Sequence, residues 1–143
     1  MADGGQQYMA LDTAGAGSVT ITSDLDGTAV SAEVHDAGDI DGIEQPVAWV
    51  LEDIDAGDTN AFHVRPMVGN LVVCQGDTTK TVQSLTPDIC DVRNTEPASA
   101  DAQELGWFEI EGIAAGTCQY SVTFTAGAAG AGVTQTFEYE IQP

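Results

Sequence analysis

Carboxylates dominate the chemistry available to this 143-residue chain. It carries 23 Asp and Glu against 3 Lys and Arg, a formal charge of -20. Three short motifs set aspartates at alternate positions around a turn: Asp24-Leu25-Asp26-Gly27, Asp39-Ile40-Asp41-Gly42 and Asp53-Ile54-Asp55-Ala56-Gly57-Asp58. Alternate carboxylates of this kind can converge on a hard cation. None of the three completes a calcium loop, which needs a further ligand and a later Glu. Asp is also a natural turn former, so an acidic turn is the simpler reading of each. Asp53, Asp55 and Asp58 form the best set for a cation. No metal or other cofactor is expected beyond that candidate.

The remaining reactive side chains are few. His35 and His63 are the only histidines, and neither G-x-S-x-G nor H-E-x-x-H is present. Ser31 or Ser121 can be combined on paper with a histidine and an aspartate, but no spacing selects such a triad. No catalytic residue is expected, and the chain is read as non-enzymatic. Cys74, Cys90 and Cys118 lack any C-x-x-C spacing, which argues against zinc and redox chemistry. Cys74 and Cys118 fall in expected strands, where free cysteines are commonly buried. Cys90 falls in an irregular stretch within reach of either. Three reduced thiols are the default expectation, with one bond to Cys90 as the alternative. Trp49 and Trp107 have the ring faces to stack on sugar, yet both lie in apolar runs and are expected in a core.

Short strands must position these groups. Residues 1–17 are rich in Gly and Ala and read as an N-terminal arm, leaving 18–143 as the folded domain. Ser18–Ser23 and Ala29–His35 alternate apolar and polar residues around Asp26-Gly27, the signal of a two-residue hairpin turn. Val47–Leu51 and Leu71–Cys74 are apolar runs of buried-strand length. Ala61–Arg65 and Thr79–Leu85 are further strand candidates. Residues 86–106 read as irregular, with a helical turn or two over Ser99–Leu105. Trp107–Ile113, Cys118–Thr125 and Val133–Ile141 complete the set, and the last two face each other across a Gly/Ala turn. About eight or nine short strands at turn spacing predict an all-β sandwich.

Composition bounds the rest. Val, Ile, Leu and Phe make up roughly 22% of the chain, just above the ~20% below which a highly charged chain stays disordered. Three cations cannot provide a nucleic-acid footprint or dock on anionic lipid. No apolar run approaches the roughly 18 residues of a membrane-spanning helix. Met1–Gln6 has no positive or apolar leader character, so synthesis in the cytoplasm is expected. Carboxylates interleaved with Val, Ile and Thr suit the outer face of a folded sheet rather than an acidic tail.

Two resemblances follow from these residues. Phe108-x-Ile110-x-Gly112-Ile113-x-x-Gly116-Thr117-x-x-Tyr120-x-Val122-x-Phe124 resembles the late strands of bacterial and archaeal immunoglobulin-like modules. It implies an immunoglobulin-like β-sandwich and carries no functional residues. It differs from antibody domains, whose tyrosine precedes the late cysteine, whereas Tyr120 follows Cys118. One lysine, more Asp than Glu, and abundant Ala, Gly, Val and Thr resemble haloarchaeal proteins. A small acidic sandwich of this type resembles the decoration, cement, turret or tail proteins of haloarchaeal tailed viruses. That resemblance implies a virion protein assembled in the host cytoplasm. Its partners would be a major capsid or tail protein and further copies of itself, with neither nucleic acid nor membrane. Tyr8, Met9 and Leu11 are the expected anchors, since a plain linker has no use for three large apolar side chains. The alternative is a carbohydrate- or cation-binding sandwich module.

Overall fold

The computed structural model describes residues 16–35, 37–49, 53–73, 78–95, 106–126 and 131–143. Tyr8, Met9, Leu11, Cys74 and the expected helical turn at 99–105 lie outside these residues. The described chain is all-β. Its strands are β1 (Gly17–Thr22), β2 (Ala29–Val34), β3 (Gly42–Ile43), β4 (Val47–Ala48), β5 (Ile54–Asp55), β6 (Thr59–His63) and β7 (Pro66–Val68). They continue with β8 (Leu71–Val72), β9 (Thr78–Ser84), β10 (Cys90–Asn94), β11 (Trp107–Gly112), β12 (Gly116–Ala126) and β13 (Ala131–Gln142). Backbone contacts divide the chain into two compact units, Met1–Asp36 and Ala37–Pro143.

In the first unit β1 and β2 form a two-stranded antiparallel sheet of their own. Val19 pairs with Ala32, Ile21 with Val30 and Gly17 with Val34, so the alternating apolar residues of both strands share one face. Thr20 and Ser31 pair on the other face, their hydroxyls 3.2 Å apart. The connection differs from the two-residue turn expected at Asp26-Gly27. The Ser23 amide donates to the Thr28 carbonyl at 2.8 Å, which closes a loop over Asp24–Gly27. Only Gly27 has positive φ there, at 71°. Asp26 instead accepts the Thr28 amide at 3.0 Å, and this bond holds its carboxyl below the ordinary carboxylate range. An Asp side chain can tie the turn through its own oxygen, so the left-handed residue is needed only at the exit.

Space around Gly27 is open, so substitution there meets backbone strain rather than crowding. Gly27→Val should cost the hairpin about 1–2 kcal/mol, the penalty of left-handed geometry for a side chain with a Cβ. Amide exchange at Ser23 should accelerate accordingly, while Gly27→Asn should stay near the parent. Unchanged exchange in the valine variant would show that this geometry is not required.

The second unit is a sandwich. One sheet runs β10-β11-β6-β4 and the other β5-β13-β12-β9, and β3-β7-β8 forms a small third sheet. The expected C-terminal hairpin is present in full, with β12 and β13 paired from Gly116↔Ile141 to Ala126↔Ala131. Period-two alternation places Phe62, Phe108, Ile110 and Val92 of the first sheet in the core. Tyr120, Val122, Phe124, Phe137 and Ile141 of the second sheet face them. Phe62 stacks on Phe108 within the first sheet at 5.6 Å, and the rings bridge the layers where Phe62 meets Tyr139 edge-on at 5.1 Å and Phe108 lies 5.7 Å from Tyr120. Burial pushes the Tyr120 hydroxyl well above its ordinary pKa of 10.0.

Two features of this core depart from expectation. The segment read as irregular contains β10, which pairs with β11 from Cys90↔Gly112 to Asn94↔Phe108. Only Cys90 and Val92 mark its apolar face, too short a pattern to stand out beside Pro87 and Pro97. The expectation of three reduced thiols also fails. Cys90 and Cys118 are joined in a disulfide that links the two sheets, with Cα atoms 5.6 Å apart. The chain's single lysine is a core residue as well. Lys80 is only 4% exposed; its Nζ donates to the Trp107 carbonyl across the sandwich and sits 5.6 Å over the Phe108 ring.

Candidate functional site

The expected cation set spans β5 and the turn that follows it. Asp53, Asp55 and Asp58 are exposed there, and the turn backbone is spent on structure. The Ala56 amide donates to Gln142, Gly57 to Gly112, and the Gly112 amide to Asp58. Among the described residues no three His, Cys, Asp or Glu side chains gather in a way that could hold a metal ion. His35 lies 3.6 Å from Glu33 in the first unit. The Ser31 hydroxyl faces Thr20 across the hairpin.

A groove of about 420 Å³ lies on the outer face of the β10-β11-β6-β4 sheet. Strand pairing builds it. Val47 of the edge strand β4 lies opposite His63 of β6, and His63 lies opposite Trp107 of β11. Because Ala48, Phe62 and Phe108 point inward, this cross-strand row must point outward. Trp49 follows two residues after Val47 and keeps the same side. Its amide donates to the Ala61 carbonyl at 2.8 Å. The expectation that both tryptophans are core residues is therefore wrong for Trp49, which is 71% exposed. Trp107 is half-buried in the groove wall. Alternation carried the signal: Trp107, Glu109 and Glu111 share one face of β11 and Phe108 and Ile110 the other.

The rings are fixed against one another. Trp49 and Trp107 meet edge to face at 5.2 Å with 72° between their planes, and His63 packs on Trp107 at 4.9 Å. At the opposite wall Glu44 and Arg65 form a bidentate pair, Nε to Oε1 at 2.8 Å and Nη2 to Oε2 at 3.0 Å. The Glu44 amide also donates to the Arg65 carbonyl at 3.0 Å, so main chain and side chains hold the pair in one geometry. His63 Nδ1 lies 3.8 Å from Glu44 Oε1. Close packing supports the floor. A Cβ on Gly106 would collide with His63 Nε2 and with the Val64 carbonyl at 2.6 Å, so only glycine lets the chain enter β11 beneath that ring.

No protein-family model matches this chain, and no curated protein matches it. Among solved structures, the crystal structure of domains 4 and 5 of the S-layer protein SbsC is similar over 90% of this chain. The identity is 12%, the TM-score 0.38, and the chain spans 66% of that structure's length.

Proposed function

We propose that this chain is a non-enzymatic structural protein that works through protein–protein contacts. More narrowly, we read it as a decoration, cement, turret or tail protein in the virion of a halophilic archaeal virus. The observation that carries the assembly reading is the apolar face of the β1–β2 hairpin. Val19, Ile21, Val30, Ala32 and Val34 share it by register, yet Ile21 is 39% and Val30 64% exposed. A lone two-stranded sheet is marginal at best in water, so this face is suited to being covered by another subunit. The disulfide fits the same reading. Disulfides persist outside a reducing cytoplasm, where a released particle spends its working life. The acidic surface suits concentrated salt, in which screening permits such subunits to pack.

Light scattering at about 3 M NaCl, where charge repulsion is screened, tests the assembly reading. The parent should form a discrete oligomer. The double variant Ile21→Asp/Val30→Asp should be monomeric with the melting of the sandwich unchanged. A monomeric parent, or a double variant that still associates, would overturn the proposal. Mass spectrometry of particles banded on salt gradients would test the virion reading, which requires the chain in the particle fraction.

A further inference from the structure

We propose that the groove between Trp49 and the Glu44–Arg65 pair binds a neutral saccharide, at a chain end or a bend of a soluble oligosaccharide. This goes beyond the assembly reading, because the groove lies in the second unit and uses none of the hairpin residues. Three observations converge on it. Trp49 offers an indole to solvent at 71% exposure, held by the Ala61 hydrogen bond and by its contact with the Trp107 ring. A pyranose ring has one face of C–H groups, which packs on an indole, and a rim of hydroxyls, which needs donors and acceptors. Glu44 and Arg65 supply a fixed planar edge of both kinds across the same groove. The volume of about 420 Å³ falls within the ~300–1,000 Å³ range of small-molecule sites.

Charge selects the class of sugar. The two formally charged lining side chains, Glu44 and Arg65, neutralise each other in a bidentate pair. The chain as a whole carries a formal charge of -20. Uronates, sialylated and sulfated glycans would meet a repulsive surface with a guanidinium already committed to Glu44. A neutral ligand held by ring stacking and hydrogen bonds is also indifferent to concentrated salt. Ring geometry narrows the form. Indoles 72° apart make a corner rather than a flat platform. A corner fits one residue and its neighbour and does not lie flat on a crystalline polysaccharide.

The test is an array of neutral and anionic oligosaccharides probed with the full chain in about 3 M NaCl, followed by calorimetric titration with the best neutral compound. Neutral members should bind and anionic ones should not, and tryptophan fluorescence should shift on binding. Trp49→Ala should weaken binding by about tenfold or more. The same variant should melt with the parent, because this side chain is exposed. Arg65→Met removes the polar edge and should lower affinity as well, while Ile21→Asp/Val30→Asp should leave it intact. An array bound only by anionic glycans, a blank array, or undiminished binding by Trp49→Ala would overturn the proposal. If the array is blank and Trp49→Ala changes the oligomer mass, the groove is a protein contact instead. The assembly reading would survive that result, since its own test uses the hairpin variant.

Discussion

Reducing the Cys90–Cys118 disulfide should lower the thermal midpoint of the sandwich by roughly 15–25 °C, a loss of about 3–4 kcal/mol. The two cysteines are 28 residues apart in sequence, and both are fully buried. In the chain-entropy picture, closing a loop of that length removes about 3.5 kcal/mol of freedom from the unfolded chain. The position of the bridge adds to its effect. It ties β10, which has a short apolar pattern of its own, to β12 at the centre of the opposite sheet. The Ser84 hydroxyl donates to the Cys90 carbonyl at 2.8 Å, so β9 depends on the same corner. Scanning calorimetry with and without a phosphine reductant gives the measurement. Thiol titration of the denatured chain with Cys90 and Cys118 reduced should exceed that of the unreduced chain by two thiols. A midpoint that does not move, with all thiols shown to be reduced, would refute the bridge as a stabilising element.

Raising NaCl from about 0.1 M to about 3 M should increase the midpoint by ~15 °C or more. All three cations are committed within the fold. Lys80 is buried, and Arg65 is bound by Glu44. Arg93 is shared by Glu111 at 2.6 Å, Glu109 at 3.5 Å and Asp91 at 3.9 Å. Three cations against 23 carboxylates leave most of the negative charge uncompensated. A like-charged pair about 8 Å apart costs ~0.5 kcal/mol in water, so ten such pairs cost about 5 kcal/mol, part of which the unfolded chain retains. At 1 M salt the screening length falls to about 3 Å and most of the repulsion disappears. Circular dichroism across the salt series reads the effect. A flat midpoint would show that charge repulsion does not limit stability, and the halophilic reading would lose its physical basis.

Trp49 and Cys90 show where local pattern stops being informative. Trp49 stands in the run Val47-Ala48-Trp49-Val50-Leu51, and an apolar run by itself does not say which face of a strand is covered. The deciding fact is the side of the sheet: Ala48 pairs with Phe62 on the core face, which leaves Val47 and Trp49 on the outer one. Cys90 had three pairing states open to it. Which one forms depends on the packing of two sheets whose cysteines come from strands far apart in the chain. Asp26 shows the same limit at short range. Its side chain could serve a two-residue turn or a longer loop, and the register of β1 on β2 decided for the longer one.

The sequence by itself determined the all-β class, the C-terminal hairpin, the hairpin of the first unit with its shared apolar face, and a surface of nearly unbroken negative charge. These rest on period-two alternation, turn residues and composition, which act over a few residues or over the whole chain without regard to contacts. Tertiary structure alone decided that the only lysine crosses the core and that Cys90 joins Cys118. It also decided that Trp49, His63, Trp107, Glu44 and Arg65 share one groove. Those outcomes require β4, β6 and β11 to stand side by side and two sheets to face each other. Such neighbours are set by the free energy of packing the whole domain, and no local spacing encodes them.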